Sequence, residues 1–578
     1  MFNFNSIDKI NKIIKYIKIY YQNISGNSLP QIDKIKFPNN KKPKQQKNVL
    51  IAIGSGGLSS ILVFESLLGK LLQENNCKVD YLICDEILPA CIMATIHNID
   101  ENKFEKYGSK KICSYCYLRA SKYLKDTGGN VLKFTDYINE FDLKKINNQK
   151  FDNETLENIK NYKLDGINIG EHANSGAIRY FSSSNFKNFK NNKQILTKYI
   201  KAGLITKKIC ENLFSKKNYD EVFLNHGIYV PQGVILDCAK KFNINTSCWC
   251  YAYSRNSVNI TRNDTYHKAL IHEEEHKWKN FEFDKDMEDE IDNFLKQRRE
   301  GSEVLINDNW DISIKNQNLD VKKFFLKNKI NLDKPLVGLA TNSLWDAQIY
   351  YPNNLFKDTL EWLFYTIDYF SKREDVQLII RIHPAEVLSN AKSLERIEDV
   401  IRSKYKDLPK NIFIVKPDDK ISTYSIFKSC NAVLVYASKI AMETMSMKIP
   451  TIVCGESFLK NKSISFDPIS KDEYKSLLNQ IPFKENYINA KRLNLAKKYA
   501  YHFFFRRTIK INSLYERKSK HPNVGIRGDI KEIFESKNDP GLKSIVDAVL
   551  NGDDFIFKYE NQKKYETKFH DTTSRERL

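Results

Sequence analysis

The chain lacks any long apolar run. A helix that spans a bilayer needs about 20 consecutive apolar residues, and the most apolar stretch, residues 49–72, is broken by residues 54–57, Glu65 and Lys70. The N-terminus also lacks the uninterrupted apolar segment of a signal peptide. These absences predict a cytoplasmic protein, either soluble or attached peripherally to the inner face of the plasma membrane.

Signatures of nucleic-acid binding are missing as well. The chain of 578 residues carries a formal net charge of +21, but it has no Arg-rich arm, RNA-binding signature or zinc-finger spacing. Lysine is instead spread along the whole sequence, which favours phosphate-bearing ligands or an anionic membrane surface over nucleic acid. Isoleucines and lysines alternate over residues 9–19, so this segment is predicted to be a basic amphipathic helix that lies on a membrane or docks on its own domain.

The composition is that of a folded chain with several domains. Hydrophobic residues make up 41% and aromatic residues 12%, which argues against disorder, and the length fits two or three domains. The predicted parts are a basic helical extension with a linker (1–47), a first Rossmann-like domain (48–300), a connector (301–334), a second Rossmann-like domain (335–510) and a C-terminal helical tail (511–578).

Short apolar runs alternate with helical segments between residues 375 and 457, which is typical of a parallel α/β sheet. Strands are predicted at 376–383, 412–416, 432–436 and 451–454. Ligands of open α/β sheets bind outside the carboxyl ends of the strands. We therefore expect one crevice to collect the polar residues that follow these strands, which are His383, Lys416, Ser438, Lys439, Glu443 and Gly455.

The first half of the chain repeats this pattern. A predicted strand at 49–53 runs into the glycine-rich residues 54–57, and a later unit places His226 at the end of another strand. The glycine-rich turn matches a dinucleotide-binding fingerprint only weakly, because Ser59 stands at the third glycine position and Asp85 comes too late for the acidic one. The glycine-rich residues are better interpreted as a tight turn from strand to helix.

Eleven cysteines, several of them in apolar strands, indicate a reducing compartment. Cys113 and Cys116 form a CxxC pair that suits half of a tetrahedral zinc site, whereas Cys84 and Cys91 are spaced too widely for the other half. A structural zinc on these four residues and four free buried thiols both stay open, and no cofactor or metal is assigned. The histidines of residues 267–276 are spaced like a metal triad, but their acidic context is more typical of a solvated segment.

Residues 165–180 (DGINIGEHANSGAIRY) contain a polar cluster bounded by glycines. The cluster predicts either an active-site loop that faces the crevice or the start of a helix with Asn174 or Ser175 as its N-cap. Its members are Glu171, His172, Asn174, Ser175 and Arg179.

A family resemblance rests on several motifs spread over most of residues 48–510. They are 341–346 (TNSLWD), 381–386 (RIHPAE), 436–439 (YASK) with Glu443, 450–455, 225–227 (NHG) with 229–233 (YVPQG), and 84–85 with 88–91. With them the chain resembles bacterial capsule and surface-polysaccharide biosynthesis proteins with two facing Rossmann-like domains, the GT-B layout of glycosyltransferases. The His-Pro element and the serine at a helix start are also similar to those of bacterial Kdo transferases and sialyltransferases, where they contact the nucleotide of a CMP-sugar.

This resemblance and layout imply a metal-independent glycosyltransferase that moves a sugar from a nucleotide-sugar donor to a capsular or surface polysaccharide, on a lipid-linked or oligosaccharide acceptor. The second domain would bind the donor, with His383 donating to its phosphate or nucleotide and Ser438 and the Lys439 amide forming an anion site. Glu443 would accept ribose hydroxyls, and Lys416 would compensate charge. The full expected set is Arg381, His383, Pro384, Lys416, Ser438, Lys439, Glu443 and Gly455.

A base for the acceptor is expected in the first domain, on Glu171, Asp85, Glu86 or His226. Three alternatives stay open at this point. They are a polyol-phosphate transferase of the teichoic-acid type, an oxidoreductase that binds a dinucleotide or flavin at residues 54–57, and a non-catalytic scaffold for glycan assembly.

Overall fold

The structure, a computed structural model, describes residues 47–151, 154–254, 256–300, 320–346, 353–388, 393–484, 487–517, 523–526 and 539–557. Three sequence predictions fall on residues outside these ranges: the basic N-terminal helix, most of the connector and the polar end of the tail. The described residues form two α/β domains, each built on its own sheet.

The strands follow the apolar runs of the sequence. In chain order they are β1 (Asn48–Ile53), β2 (Lys78–Ile83), β3 (Asn130–Lys133), β4 (Glu221–Asn225), β5 (Asn245–Tyr251), β6 (Ser257–Arg262), β7 (Leu336–Ala340), β8 (Gln377–Arg381), β9 (Ile412–Val415), β10 (Ala432–Val435), β11 (Thr451–Val453), β12 (Ile509–Lys510), β13 (Leu514–Arg517) and β14 (Asn523–Ile526).

Helices fill most of the chain between these strands. They are Ser59–Glu74, Met93–Ile96, Glu101–Tyr107, Lys110–Lys125, Glu140–Asn148, Leu156–Lys160, Ile169–Phe181, Asn192–Phe214, Gln232–Lys241, Tyr266–Ile271, Glu275–Lys279, Lys285–Glu300, Val321–Lys327, Thr359–Phe370, Ala385–Leu388, Ile397–Lys404, Thr423–Phe427, Ile440–Ser446, Lys471–Asn479, Ala490–Tyr501 and Pro540–Asn551. A 3₁₀ turn spans Phe134–Tyr137, and a π-helical turn spans His502–Arg506. Among the described helices, none has both the length and the apolar composition needed to cross a bilayer.

The first sheet has the strand order β12-β6-β5-β4-β1-β2-β3. Strands β1 to β5 pair in parallel, and Ile51 at the centre of β1 lies opposite Tyr81 on β2 and Phe223 on β4. Strands β6 and β12 add to one edge in the antiparallel sense. The residues of β1 after Asn48 are all buried, as expected for a parallel sheet with helices on both faces.

The second sheet has the order β11-β10-β7-β8-β9, and all of its neighbouring strands are parallel. If β7 is counted as its first strand, the order is 5-4-1-2-3, and strands β1 to β5 of the first sheet show the same order. This is the strand order of the Rossmann fold. The predicted fold class, α/β with two Rossmann-like domains, is confirmed.

In both sheets the direction of winding reverses between the first and the fourth strand. This topological switch point lies between β1 and β4 in the first domain and between β7 and β10 in the second, and open α/β sheets bind ligands there. In the second domain the Asn342 amide spans this point, because its Nδ2 donates a 2.8 Å hydrogen bond to the carbonyl of Ala437. The loops after β4, β7, β8 and β10 therefore carry the candidate site.

The tail returns to the first domain. Strand β12 pairs with β6, and helix Pro540–Asn551 packs in the same hydrophobic core as Val49 of β1 and Leu62. The sequence boundary after residue 510 is therefore too late, because β12 already belongs to the first sheet. The predicted helical tail also contains the β13–β14 hairpin, so it is not purely helical.

The two domains touch directly beside the switch points. Trp345, from the loop after β7, is 5% exposed and packs in the core of the first domain. The Glu395 carboxylate accepts hydrogen bonds from the Ser184 amide at 2.9 Å and from the Ser183 hydroxyl at 3.0 Å. At a further contact between the two domains, the Lys462 ammonium donates to the carbonyl of Ile271 at 2.7 Å.

Candidate functional site

An ion pair joins the two domains where their strand-end loops meet. The Oδ1 atom of Asp346, in the loop after β7, lies 3.0 Å from Nη1 of Arg179, in the last turn of helix Ile169–Phe181. The guanidinium also lies 4.6 Å from the ring of Trp345 and 6.0 Å from the ring of Tyr229. Because the Asp346 side chain is 59% exposed, this pair stays open to solvent and to a ligand.

Three histidines lie within electrostatic reach of the Asp346 carboxylate: His226 and His267 from the first domain, and His383 from the second. Burial lowers the pKa of each imidazole to about 4, and the Asp346 charge opposes this shift without reversing it. All three rings are therefore neutral at pH 7. A neutral imidazole offers one N–H donor and one acceptor nitrogen, which suits phosphate oxygens and sugar hydroxyls.

The backbone fixes the tautomer of His383. Its own N–H donates to the Thr341 hydroxyl at 3.0 Å, and its Nδ1 accepts from the Ala385 N–H at 3.1 Å. An accepting nitrogen carries no proton, so the proton of the neutral ring lies on Nε2. His383 therefore acts as a donor from its distal nitrogen.

The turn after β10 carries Lys439, whose charge, like that of Arg381, adds to the lowering of the His383 pKa by burial. The Lys439 ammonium lies 3.4 Å from Oε1 of Glu443 and 5.3 Å from the ring of Tyr253. Burial and the Arg298 charge lower the pKa of Lys439 to about 8 against the pull of Glu443, so the side chain remains mostly cationic at pH 7. A shared donor-binding role for Ser438, Lys439 and His383 stays a prediction.

Glu443 is held in a buried network. The side chain is 1% exposed; its Oε1 lies 3.3 Å from Nε of Arg298 and 3.4 Å from Lys439, and its Oε2 accepts from the Tyr424 hydroxyl. Burial and these three donors do not favour the predicted role of Glu443 in accepting ribose hydroxyls. Helical spacing alone did not reveal Arg298, which lies on helix Lys285–Glu300.

Arg381 and Lys416 do not join the group around Asp346. Arg381 is 2% exposed, and its guanidinium donates to the Thr423 hydroxyl at 3.1 Å and to the carbonyl of Lys416. Burial lowers its pKa to about 10. The Lys416 ammonium lies 3.6 Å from Glu398 on a half-exposed surface. Strand β8 ends at Arg381, so His383 lies in the loop beyond the strand.

Pro384 and Gly455 have roles in the chain's own packing. Pro384 forms the turn between His383 and helix Ala385–Leu388. At Gly455 a Cβ would lie 2.8 Å from the Tyr436 carbonyl oxygen and 3.0 Å from Oδ1 of Asn354. The glycine therefore permits close packing between loops, and this close approach does not require a ligand.

The polar cluster of residues 171–179 lies inside helix Ile169–Phe181, whose N-cap is Asn168. Both sequence interpretations are wrong: the segment is not a loop, and the helix begins before Asn174 and Ser175. The apolar residues Ile169, Ala173 and Ala177 form the buried face of this helix, and the glycines do not break it. The helix instead carries Glu171 in its first turn and Arg179 in its last.

Glu171 is a half-buried carboxylate with a shifted pKa. Burial raises the pKa to about 7, and the nearby charges of His172 and Lys268 oppose that shift. Within the described residues its buried Oε1 has no hydrogen-bond partner. Its neighbour His172 is engaged elsewhere, with Nε2 3.2 Å from Oδ2 of Asp237. Glu171 is therefore the candidate base that the fold leaves chemically available.

The other predicted bases have different surroundings. Asp85 accepts the Thr135 amide at 3.1 Å on Oδ1 and the Thr135 hydroxyl on Oδ2, so it fixes the loop after β3. His226 has a positive φ of 62° and donates its backbone N–H to the Trp249 carbonyl at 2.8 Å. Its buried Nδ1 has no partner in the part of the chain that the structure describes. His226 lies in the Asp346 group, whereas Asp85 belongs to a structural contact.

Protein atoms fill the space beside the glycine-rich turn. A Cβ at Gly54 would lie 2.0 Å from Nε2 of Gln232, and one at Gly56 would lie 2.6 Å from Cβ of Ala120. The glycines thus allow close packing of the turn against Gln232 and helix Lys110–Lys125. A dinucleotide pyrophosphate would need this same space, so the structure does not favour the oxidoreductase alternative.

The four cysteines of the zinc hypothesis come together. Cys84, Cys91, Cys113 and Cys116 line one small cavity of about 20 Å³, together with Gly54, Glu86, Leu88 and Met93. Within the described ranges, no group of three or more His, Cys, Asp or Glu side chains could hold a metal ion.

Sequence reasoning missed the three residues that define the group: Arg179, Asp346 and His267. Arg179 was noted only as part of the polar cluster, Asp346 only as part of a motif, and His267 as part of a solvated segment. A usable signal existed for Asp346, since it follows a predicted strand just as His383 does. No periodicity could have paired Asp346 with a residue 167 positions earlier.

Comparisons with known proteins add little to this geometry. No family model matches the chain, and a search of curated proteins found no match. Similar solved structures include the Thermosulfurimonas dismutans KpsC beta Kdo 2,4 transferase (11% identity, TM-score 0.34, 55% of this chain and 87% of that one) and a glycosyltransferase from Rickettsia africae (11%, 0.26, 79% and 93%). These similarities are too weak to support a functional assignment.

Proposed function

We propose that the protein is a glycosyltransferase that moves a sugar from a nucleotide-sugar donor to a capsular or surface polysaccharide. The observation that carries this proposal is the Asp346 group, in which side chains from both domains meet at the carboxyl ends of two Rossmann-like sheets. Such a transfer requires donors and cations for the leaving phosphate and an oriented, activated hydroxyl. The group would offer the donors and cations, and Glu171, about 12 Å from Arg179 along the same helix, would supply the base.

The second domain would bind the donor. His383 carries its proton on Nε2 and would donate from there to a phosphate oxygen, and the partly buried Lys439 ammonium would supply positive charge. In a site with little water, preorganised donors of this kind stabilise the charge that develops on a departing nucleotide. These residues can provide this stabilisation without a metal ion.

The first domain would bind the acceptor, either lipid-linked or a free oligosaccharide. Glu171 is the best-matched base there, because a general base works best when its pKa lies near the working pH and burial raises this pKa to about 7. His226 and His267, with pKa values near 4, are weaker bases and are better suited to orient hydroxyls. Arg179, which forms an ion pair with Asp346, would fix the position of this carboxylate as the donor enters.

A thermal-shift screen against CMP, CDP, UDP and GDP tests the donor assignment. A nucleotide present at about 100 times its dissociation constant adds roughly 2.7 kcal/mol of stability, so one of the four should raise the melting temperature. His383→Ala should remove most of that shift. The matched control is His276→Ala, because the His276 side chain is 64% exposed and pairs only loosely, at 3.9 Å, with Glu274.

Two outcomes would count against the proposal. If none of the four nucleotides stabilises the wild type, the donor site loses its support. If a nucleotide binds but the product carries a transferred polyol phosphate instead of a sugar, the reaction is that of a teichoic-acid-type transferase.

A further inference from the structure

Two buried hydrogen-bond acceptors at the carboxyl end of the second sheet have no partner. Asn342 lies in the loop after β7, and Glu456 lies in the loop after β11. Within the described residues, neither Oδ1 of Asn342 nor Oε2 of Glu456 receives a hydrogen bond, although both atoms are buried. The large majority of buried polar atoms in native proteins are paired. At the edge where open α/β sheets bind ligands, a bound molecule can supply the missing donors.

The orientation of the Asn342 amide is fixed by a neighbouring loop. Its Nδ2 donates a 2.8 Å hydrogen bond to the carbonyl of Ala437, in the turn after β10. A carbonyl oxygen only accepts hydrogen bonds, so the amide nitrogen must face it and Oδ1 must point elsewhere. Asn342 therefore presents an acceptor, not a donor, at the topological switch point between β7 and β10.

Glu456 is held by one carboxylate oxygen and leaves the other unpaired. The residue is 2% exposed, and its Oε1 accepts the Asn353 N–H at 3.0 Å. Its Oε2 lies at the domain boundary, 3.7 Å from Nε2 of His272 in the first domain. That distance is too long for a hydrogen bond. The His272 side chain is 47% exposed, so its rotation towards solvent would open Oε2 to a ligand.

The turn after β10 lies between the two loops that carry these acceptors. Strand β10 separates β7 from β11 in the sheet, and the Gly455 N–H donates to the carbonyl of Tyr436 at 2.8 Å. Both loops therefore contact the segment that leads into Ser438. Two acceptors, one of them a carboxylate, suit a ligand group rich in O–H donors and repel a phosphate.

We propose that Asn342 and Glu456 bind hydroxyl groups of the nucleotide-sugar donor, an inference that rests on the proposed glycosyltransferase function. Oδ1 of Asn342 would accept from one hydroxyl and Oε2 of Glu456 from another, while His383 and Lys439 would bind the phosphate. The ribose and the transferred sugar carry the same hydroxyl chemistry, and binding measurements with and without the sugar distinguish the two sources.

The test is isothermal titration calorimetry of the full chain with CMP, UDP and GDP, and with CMP-N-acetylneuraminic acid, UDP-glucose and GDP-mannose. In Glu456→Gln the amide oxygen can keep the Asn353 N–H, so an NH₂ donor takes the place of Oε2. This variant and Asn342→Ala should each raise the Kd of a ligand that the wild type binds by roughly tenfold or more. The matched control is Glu473→Gln, which alters an exposed carboxylate of the same domain that accepts the Ile469 N–H at 2.8 Å. It should leave the Kd unchanged.

The pattern of losses identifies the hydroxyls. Weaker binding of both a nucleotide and its sugar conjugate assigns them to the ribose, and weaker binding of the conjugate alone assigns them to the transferred sugar. If the folded variants bind as tightly as the wild type, this inference fails while the glycosyltransferase proposal stands. If the wild type binds none of these ligands, both fail. Far-ultraviolet circular dichroism identifies a misfolded variant, and the other variant then decides, because each removes one acceptor.

Discussion

At the scale of single residues, burial decides which polar side chains are available for chemistry. Arg381 and Glu171 both belong to the predicted site, and both have shifted pKa values because they are removed from water. Arg381 is engaged by a hydroxyl and backbone carbonyls of its own domain, whereas Glu171 keeps one buried oxygen without a partner in the described chain. Two buried charged residues of the predicted site therefore differ in availability according to the partners that the fold provides.

The pH dependence of activity tests the role of Glu171. Its pKa is raised from 4.5 to about 7 by burial, so the base form becomes dominant only as the pH rises through about 7. We expect kcat/KM to rise with pH along a limb centred near 7. Glu171→Gln should lower kcat by roughly 100-fold or more and remove that limb.

The control for this prediction is Asp85→Asn. Asp85 was an equal candidate by sequence, but both of its oxygens accept hydrogen bonds from Thr135. This variant should keep the pH limb even if it loses some stability. If Glu171→Gln retains the limb and Asp85→Asn loses it, the assignment of the base is reversed.

At the scale of elements, the sequence predicted the strands of both sheets well. The predicted strands at 49–53, 376–383, 412–416, 432–436 and 451–454 correspond to β1, β8, β9, β10 and β11, and their ends differ from the prediction by one or two residues. Short apolar runs of four to eight residues that are bounded by turn residues favour buried strands over helices. Strand β12 could not be predicted, because two residues carry no periodicity and their pairing with β6 depends on the completed first domain.

The site was less predictable than the sheets. His383, Ser438 and Lys439 were predicted from their positions after strands, since strand ends converge in parallel sheets. The partners of Glu443 and Arg381, which are Arg298 and the carbonyl of Lys416, come from other segments and were not predicted. Which segments supply such partners depends on the tertiary fold and cannot be read from the local spacing of residues.

Helix Ser59–Glu74 contains a buried carboxyl group whose effect on the free energy of unfolding can be measured. Glu65 is 0% exposed, and its Oε1 accepts from the indole Nε1 of Trp249 at 2.9 Å. Burial raises its pKa from 4.5 to about 8. The folded chain keeps this proton where the unfolded chain loses it, so its stabilising contribution is full below pH 4.5 and is lost as the pH rises towards 8.

Glu65→Gln should therefore flatten part of the pH profile of stability. The amide resembles the protonated acid in shape and has no charge to bury, so the variant should gain on the order of a few kcal/mol over the wild type at pH 8 and little at pH 4.5. Urea unfolding at several pH values measures this. Glu140→Gln is the control, because the Glu140 side chain is 89% exposed; identical pH profiles for Glu65→Gln and the wild type would refute the shifted pKa.

At the scale of the whole molecule, the C-terminal part of the chain returns to the first domain. It passes from the second domain through helix Ala490–Tyr501 and returns to the first sheet at β12. The returning segment is fixed by Arg262, whose Nε donates to the carbonyl of Asp553 at 2.6 Å, and by the Phe557 N–H, which donates to the carbonyl of Arg506 at 2.7 Å. The last part of the sequence thus completes the domain that the first part began.

A truncation series tests this dependence. Leu542, Ile545 and Val549 are 1%, 0% and 0% exposed in the core of the first domain, and each fully buried aliphatic side chain is worth about 1.5–3 kcal/mol. Their loss is comparable to the total stability of roughly 5–15 kcal/mol that a domain has. A chain ending at residue 538 should therefore fail to melt cooperatively, whereas one ending at residue 557 should melt like the full chain.

A single substitution checks the same contact without removing backbone. Ile545→Ala should cost about 2–5 kcal/mol, the range for emptying a fully buried aliphatic site, and the loss should appear in the unfolding of the first domain. Because Glu171 and the proposed acceptor site lie in that domain while His383 lies in the other, nucleotide binding should survive at temperatures where acceptor-dependent turnover is already lost. Simultaneous loss of both would show that the two domains unfold as one unit.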